Sequence, residues 1–334
     1  MKFLVIGLGS MGKRRVRNLQ ALGVEYVAGF DVRKDRRLET KTKYGISVFD
    51  DIETAIAEAN PDACAICTPP DLHMHYAFLV QARNMDCFIE ASVVEKEEIL
   101  RLDQLMRGGS TLALPSCTML FYPGPKKIKE LVDAKAIGEV ISINYHTGQY
   151  LPDWHPWEDI ADFYVSKRET GGAREIVPFE LTWLCHIFGV PKALACWKGK
   201  LSALNVDIDD LYHCIMQFPN SGMVCNMTVE VISRPQATRE MRILGTDGEI
   251  VFSADANSVR YRNIQMQDWT HFEFKAGTVE NLYINPEEPY IEEMRAWTQA
   301  LVSRDASSYP NSLREDYQIL KVLSDLEALA EGAA

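Results

Sequence analysis

The chain has 334 residues, and this length suits two domains better than one hydrophobic core. A hydrophobic content of 47% and a charged content of 25% are typical of a globular protein. The formal net charge is −12, and most of the acidic excess lies after residue 120, which argues against nucleic acid or an anionic membrane as a partner. We find no signal peptide and no membrane-spanning run, and we expect a cytoplasmic protein.

A glycine-rich turn follows the first predicted strand. The apolar run of residues 2–6 predicts a buried strand, and residues 13–22 have the period of a helix. Between them stands G-x-G-x-x-G, the dinucleotide-binding fingerprint, whose backbone amides and helix N-terminus hold a pyrophosphate. The first glycine permits the tight turn, the second lets the backbone approach the phosphates, and the third lets the helix pack on the strand. The predicted cofactor contacts of this turn are Gly7, Gly9, Ser10, Met11 and Gly12.

The predicted first helix carries a group of four basic side chains. They are Lys13, Arg14, Arg15 and Arg17. Two interpretations stay open for them: they steer a phosphate-bearing ligand, or they form a solvated helix face.

The second predicted strand ends in an acidic residue that bears on the choice of cofactor. Asp31 follows residues 26–30, nineteen positions after Gly12. A carboxylate there accepts hydrogen bonds from the adenosine ribose and repels a 2′-phosphate, so NAD is favoured over NADP. Arg33 lies two residues further on and keeps NADP open, since its guanidinium can pair with that phosphate. The alternative is a fold of this type without a dinucleotide, with Asp31 as a turn residue.

The remainder of the first 120 residues alternates predicted strands and helices. This alternation predicts a parallel sheet covered by helices on both faces, in a domain spanning residues 1–120. The strand of residues 63–67 ends in Thr68-Pro69-Pro70-Asp71-Leu72-His73, where the prolines force an extended turn. Ligands of open α/β sheets bind at this carboxyl edge, so Thr68 and Pro69 are further candidates for cofactor binding.

The second half changes to short strands joined by turns. Segments such as 211–218, 223–232 and 239–244 predict a large, mostly antiparallel sheet flanked by helices. We assign residues 121–334 to an α+β substrate-binding and oligomerisation domain. For its last helices, packing against the first domain stays open as an alternative. An open sheet face commonly pairs with a second copy, so we expect a homodimer or homotetramer through this sheet.

Several of these segments together resemble a known family. The chain resembles the oxidoreductases of the glucose–fructose oxidoreductase, inositol dehydrogenase and rhizopine-catabolism group (Gfo/Idh/MocA). The resemblance implies an N-terminal Rossmann domain, a C-terminal domain with an open sheet, and hydride transfer between NAD(P) and a sugar or cyclitol hydroxyl. It also implies that His73 and Glu90 lie at the cofactor. The segments that carry it are Gly7-Leu8-Gly9-Ser10-Met11-Gly12, Thr68-Pro69-Pro70-Asp71-Leu72-His73, the Glu90 position, Phe121-Tyr122-Pro123, Ala136-Ile137-Gly138-Glu139-Val140, Gly171-Gly172 and Gly245-Thr246-Asp247-Gly248-Glu249-Ile250.

The chain departs from the family pattern where the family carries its catalytic groups. The family usually has Glu-Lys-Pro where this chain has Glu90-Ala91-Ser92. On the helix after the paired glycines, Ile176 and either Phe179 or Glu180 stand where the family has an aspartate and a histidine. The resemblance therefore carries the cofactor half of the site more firmly than the catalytic half.

Three residues are the candidates for catalysis, each with a structural alternative. Glu180 is the candidate base, because a desolvated carboxyl has a raised pKa, and its alternative is an ion pair with Arg174. Arg174 is suited to clamp a substrate carboxylate or phosphate, and its alternative is a pair with Glu175 or Glu180. His155 lies in a loop dense in Trp and acids, where sugars stack, and its alternative is a packed loop histidine. No His, Cys or acidic group has metal-ligand spacing, so no metal is expected.

These observations lead to one favoured function and two alternatives. The favoured function is an NAD(P)-dependent oxidoreductase acting on a sugar, nucleotide-sugar or sugar-acid hydroxyl, with a non-standard proton-transfer set. One alternative is an epimerase or lyase that uses tightly bound NAD without net oxidation. The other is a non-catalytic dinucleotide-binding sensor or partner protein.

Overall fold

The structure is a computed structural model that describes residues 1–219 and 222–332. The chain divides into two units, which do not follow the sequence in simple halves. Unit 1 consists of Met1–Thr118 and Glu287–Tyr317, and unit 2 consists of Met119–Pro286 and the residues from Gln318 onward. The division therefore groups residues 287–317 with the first unit, whereas the sequence boundary placed them after residue 120 with the second.

The described residues form fourteen strands and nine α-helices. Strands β1 to β14 run Lys2–Ile6, Tyr26–Phe30, Ser47–Phe49, Ala63–Ile66, Asp86–Ile89, Ala113–Pro115, Val140–Gly148, Lys192–Gly199, Leu211–Phe218, Met223–Glu230, Thr238–Gly245, Gly248–Ser253, Ser258–Asn263 and Thr270–Glu273. Helices α1 to α9 run Ser10–Ala21, Lys34–Tyr44, Ile52–Ala59, His73–Gln81, Lys96–Met106, Pro123–Asp133, Ala173–Phe188, Glu288–Ser303 and Leu313–Glu331.

Unit 1 is built on a six-stranded sheet in the order β3-β2-β1-β4-β5-β6, with every pair parallel. This is the strand order of the doubly wound dinucleotide-binding fold, whose direction of winding reverses between β1 and β4. The central strand β1 is apolar along its whole buried length because helices cover both faces of such a sheet. Trp297 of α8 is fully buried, and its ring centre lies 5.2 Å from that of Phe3 and 5.6 Å from that of Phe88.

Unit 2 is built on an eight-stranded sheet in the order β14-β13-β12-β11-β7-β10-β9-β8. Burial alternates along its strands: in β9, Tyr212, Cys214 and Met216 are buried, whereas His213 and Ile215 are exposed. This period of two is that of a sheet with one packed face and one open face. Helices α6 and α7 contact the packed face. The predicted fold class, a Rossmann domain followed by a domain with a mostly antiparallel open sheet, is confirmed.

Four details differ from the sequence-based expectation. Strands β7 and β10 pair in parallel, because the chain leaves β7 through a long connection and α7 before it returns, and such a crossover allows a parallel pair. Strand β14 was not anticipated. The sequence favours a helix over residues 178–188 that begins at Pro178, but helix α7 begins at Ala173 and contains this proline. Helix α6 begins at Pro123, where the fixed φ of proline suits the first helical position. Two residues of the predicted turn at 219–222 lie outside the described residues.

Candidate functional site

The glycine-rich turn of unit 1 has the geometry that the fingerprint requires. Gly7 has a φ of +92°, and a Cβ built on it would lie 2.7 Å from the carbonyl oxygen of Cys67. A Cβ on Gly12 would lie 1.8 Å from the carbonyl oxygen of Gly7. Gly9 precedes α1, whose first turn has no side-chain cap and no acidic residue. The amides at this helix start, which no side chain caps, therefore suit an anionic group such as a pyrophosphate.

Asp31 is held at the rim of this turn. Its Oδ2 accepts a hydrogen bond of 2.7 Å from the Leu8 amide, and its Oδ1 accepts one of 2.8 Å from the Arg33 amide. The Arg33 guanidinium instead pairs with Asp35 at 2.6 Å and is half-exposed. Arg36 lies closer to the turn, with its Nη1 3.9 Å from Asp31 Oδ2. The arginine beside the proposed ribose site is therefore Arg36, which the sequence reasoning did not single out.

This arrangement leads to a prediction about cofactor preference. We expect Asp31→Ser to weaken NADH binding and to strengthen NADPH binding, each about tenfold, because the 2′-phosphate would lose a repulsive carboxylate and keep Arg36. Calorimetric titration with both cofactors measures the change. Asp103→Ser, which removes a carboxylate of α5 paired with Arg107, is the control and should leave the preference unchanged. An Asp31→Ser variant whose NADPH affinity does not rise, or rises equally without Arg36, would contradict this assignment.

The turn after β4 presents polar atoms at the carboxyl edge of the sheet. The Nε2 of His73 donates to the Thr68 carbonyl oxygen at 2.9 Å, and burial lowers the pKa of His73 to about 4, so its ring is neutral at pH 7. Thr68 Oγ1 and His73 Nδ1 are buried and have no hydrogen-bond partner within the described residues. Because buried polar atoms are normally bonded, these two atoms suit contacts with a bound dinucleotide.

Glu90 is joined to α1 by a buried ion pair. Arg15, which is fully buried, donates from Nε to Glu90 Oε1 at 2.5 Å and from Nη2 to Oε2 at 3.1 Å. The same Nη2 lies 2.8 Å from Glu293 Oε2. Glu90 therefore lies at the end of β5 as a fixed, neutralised carboxylate.

The four basic side chains of α1 do not form a solvated face. Lys13 pairs with Glu39, while Arg14 and Arg17 both pair with Glu287. The interpretation as a solvated face is therefore wrong, whereas the steering of a phosphate-bearing ligand stays a prediction. The acidic partners come from distant parts of the chain, and this the helix sequence does not reveal.

Glu180, the candidate base, is fully enclosed in unit 2. Its Oε1 accepts from Arg239 Nη2 at 2.7 Å, and its Oε2 accepts from Tyr145 Oη at 2.5 Å and from Trp183 Nε1 at 2.8 Å. The ion-pair partner is thus Arg239 and not Arg174. A carboxyl group with no exposed surface and with both oxygens engaged in hydrogen bonds is poorly placed to accept a substrate proton.

The other two catalytic candidates lie elsewhere in unit 2. Arg174 donates to Glu327 at 2.7 Å and to the carbonyl oxygen of Glu169, so the expected pairing with Glu175 or Glu180 is wrong. His155 is stacked between the rings of Trp157 and Phe163, at centroid distances of 4.8 and 4.6 Å. The structure therefore does not join Glu180, Arg174 and His155 by direct hydrogen bonds.

Sequence reasoning missed one carboxyl on the same helix. Glu175 accepts a hydrogen bond of 2.7 Å from Tyr164 Oη, and burial raises the pKa of Glu175 to about 8. We had considered it only as a partner for Arg174. A signal was present in the sequence, because Glu175 follows the paired glycines closely on the predicted helix. The sequence does not show, however, that this carboxyl is removed from water.

The described residues contain neither a group suited to a metal ion nor a helix suited to a membrane. Residues 1–219 and 222–332 contain no group of three or more His, Cys, Asp or Glu side chains arranged to hold a metal ion. Of the helices in these ranges, none combines the length and the hydropathy needed to span a bilayer.

Comparison with solved structures shows that the chain shares its fold with several proteins whose structures are known. An oxidoreductase from Agrobacterium radiobacter, in complex with NAD+, L-tartaric acid and magnesium, is 13% identical, with a TM-score of 0.85 over 100% of this chain and 97% of that one. Levoglucosan dehydrogenase, in complex with NADH and levoglucosan, is 15% identical, with a TM-score of 0.83 and coverage of 100% and 98%. The WlbA dehydrogenase from Bordetella pertussis, in complex with NADH and UDP-GlcNAcA, is 14% identical, with a TM-score of 0.79 and coverage of 100% and 97%.

Family models match both halves of the chain. Residues 1–107 match the oxidoreductase family with an NAD-binding Rossmann fold, and residues 126–251 match the GFO/IDH/MocA C-terminal domain. A search of curated proteins gave no match. The predicted family and the predicted NAD-type cofactor are confirmed by these matches. Because the two models together cover more than half of its residues, the chain belongs to the Gfo/Idh/MocA family of NAD-binding oxidoreductases.

Proposed function

We propose that this protein is an NAD-dependent dehydrogenase that interconverts a hydroxyl group and the corresponding carbonyl group of a sugar, nucleotide sugar or sugar acid. The observation that carries the proposal is the glycine turn of unit 1, where Gly7 and Gly12 leave no room for a Cβ and Asp31 lies at the rim. When bound, the nicotinamide supplies a hydride acceptor or donor. The similar proteins bound to levoglucosan, UDP-GlcNAcA and L-tartaric acid support a hydroxyl-rich substrate.

Within this function we assign different roles to the three catalytic candidates. Glu180 is a positioning residue that holds Arg239 and Tyr145, because its own oxygens are engaged. Arg174 and His155 remain proposed substrate contacts, since their side chains keep 15% and 16% of their surface exposed. The rings beside His155 offer flat faces of the kind on which sugars stack.

A non-catalytic dinucleotide sensor is the second candidate function. The enclosure of Glu180 favours it, because the residue that stands nearest to the family's histidine position is not accessible as a base. The absence of a lysine at Ala91 points the same way.

Cofactor binding and turnover, measured together, separate these functions. We expect calorimetry to show NADH binding, and spectrophotometry to show NADH formation with at least one member of a panel of sugars, sugar acids and nucleotide sugars. Binding without turnover of any substrate would favour the sensor. Conversion of a substrate without net NADH formation would indicate the epimerase or lyase. Turnover in Glu180→Gln that matches the wild type would confine Glu180 to a structural role.

We propose further that the open face of the unit 2 sheet pairs with a second copy in the cytoplasm. Trp197, Ile215 and Val224 are exposed large apolar side chains on neighbouring strands of that face. Exposed apolar residues on adjacent strands are typical of a protein interface. All eight cysteines are free thiols, which suits a reducing compartment.

The pairing gives a testable expectation. Ile215→Glu should convert an oligomer into a monomer in sedimentation analysis, because it places a charge at the centre of the proposed contact. Val302→Glu, a change at an exposed apolar residue of unit 1, is the control. A wild-type chain that sediments as a monomer would contradict the pairing.

A further inference from the structure

Glu175, whose Oε2 is buried, differs in its hydrogen-bond partners from the buried carboxylates of unit 2. Those carboxylates receive hydrogen bonds from arginine, lysine or backbone amides. They are Glu180, Asp209, Asp210 and Glu230. Glu175 has Tyr164 as its only hydrogen-bond partner in the described chain, and its Oε2 is buried without one. Arg174, the adjacent cation, is directed to Glu327.

This environment sets the protonation of Glu175. Removal from water disfavours the charged carboxylate and raises the pKa of Glu175 from 4.5 to about 8, while the hydrogen bond from Tyr164 lowers it in part. Because the pKa lies near physiological pH, the group can both hold and release a proton there. Such tuning is what general acid–base catalysis requires.

The positions of Glu175 and Tyr164 are fixed by the structure around the start of α7. Glu175 is the third residue of the helix, after Gly172 at its N-cap. Tyr164 belongs to a short 3-10 turn whose next residue, Val165, is fully buried, and a Cβ on Gly171 would lie 2.1 Å from the Val165 carbonyl oxygen. Thr170 Oγ1 also donates to the Tyr164 carbonyl oxygen at 2.8 Å. The turn and the helix therefore hold the phenol and the carboxyl in register.

Tyr164 lies beside the ring of Phe163, which together with the ring of His155 we propose as a surface on which a sugar stacks. The ring of Tyr164 lies 5.9 Å from that of Phe163, which in turn stacks on His155. Tyr164 is half-buried, whereas Glu175 Oε2 is buried. Of the two groups, the phenol is therefore the one that we expect a ligand hydroxyl to contact.

We propose that Tyr164 and Glu175 form the proton relay for the reacting hydroxyl of the substrate, an inference that rests on the proposed dehydrogenase function. In oxidation, the substrate O–H bond breaks and its proton passes to Tyr164 Oη. The phenolic proton of Tyr164 passes at the same time to ionised Glu175, and the electron pair left on the substrate oxygen forms the carbonyl as the C–H bond breaks and its hydride passes to the oxidised nicotinamide cofactor that the proposed function requires. Reduction runs the relay in the opposite direction. Tyr164 and Glu175 thereby supply the proton transfer at the substrate hydroxyl in a chain that lacks the family's lysine, aspartate and histidine.

The first test observes the carboxyl itself, without turnover. Infrared difference spectra of the intact protein across neutral and mildly alkaline pH should show a carboxylic acid that ionises near pH 8. The signal should be lost in Glu175→Gln and kept in Glu169→Gln, which changes an exposed residue before the same helix. In Tyr164→Phe the titration should move to higher pH, because the hydrogen bond that favours the ionised form is gone.

The second test measures rates and cofactor affinity. We expect wild-type oxidation to rise with pH through about pH 8, since the relay needs ionised Glu175. Glu175→Gln should lose about a hundredfold in rate, together with this pH dependence, and keep its NADH affinity. A missing titration, or a Glu175→Gln variant with wild-type rate and pH profile, would overturn the relay alone. A wild-type protein that binds NADH and oxidises no substrate would overturn the proposed function, and the relay with it.

Discussion

Gly12→Ala is expected to weaken NADH binding about a hundredfold or more. The added Cβ would lie 1.8 Å from the carbonyl oxygen of Gly7 and 2.8 Å from its carbonyl carbon. Both atoms are backbone, so neither can rotate away, and either the helix or the turn must shift. A shift misaligns the amides at the start of α1, and the loss of even two charge-assisted hydrogen bonds, at about 1.5–3 kcal/mol each, gives at least this effect.

A control on another glycine separates cofactor binding from general damage. Gly109→Ala adds a Cβ whose nearest neighbour is 3.4 Å away, an ordinary contact, so NADH affinity and thermal stability should both stay near the wild-type values. Calorimetry measures the affinity, and circular dichroism during heating measures the folding of each variant. If Gly12→Ala melted like the wild type and bound NADH as tightly, the glycine turn would not be the pyrophosphate site.

The cofactor half of the site could be predicted because its signals are local. The turn at Gly7, the acid at Asp31 and the prolines after Ile66 each end a strand of the same parallel sheet. Parallel strands bring their carboxyl ends to one edge, so knowledge of the strands suffices to place these residues together. The glycine positions also carry a backbone requirement that only their residue type can meet.

The polar pairs of both units could not be predicted because their partners are remote in sequence. Glu180 finds Arg239 across 59 positions, and Glu293 receives the Ser116 hydroxyl across 177 positions. Helical period shows which face a side chain occupies, but not which later segment covers that face. A solvated face was therefore one of two interpretations of the α1 cations, and Glu175 was considered only as a partner for Arg174.

The catalytic half was harder to predict for a related reason. The resemblance directed attention to Phe179 or Glu180 as the position of the family's histidine, and Glu180 alone of the two offers a carboxyl. The partners of a buried carboxyl matter as much as its burial, and the sequence does not show them. Glu180 meets an arginine, whereas Glu175 meets only a phenol.

Arg15→Met should cost about 3–5 kcal/mol of unfolding free energy, the largest effect on stability that we expect from a single substitution in unit 1. Arg15 and Glu293 have fully buried side chains, and Glu90 is nearly so. Methionine fills a similar volume but leaves the two carboxylates facing each other without a cation. Chemical denaturation monitored by tryptophan fluorescence measures the loss.

Arg101→Met is the matched control. Arg101 pairs with Glu98 on the surface of α5 at 3.1 Å, and both side chains are largely exposed to solvent. Removing an exposed pair of this kind costs about 0–1 kcal/mol. The comparison therefore changes the same residue type in the same unit and varies burial alone.

A second substitution identifies the cause of the lost stability. Without the guanidinium, Glu90 and Glu293 are two buried acidic groups that share no cation. Arg15→Met with Glu293→Gln should therefore recover part of the loss, since one of the two acidic groups is removed. A loss that Glu293→Gln does not reduce would mean that packing of the arginine stem, and not charge neutralisation, makes Arg15 necessary.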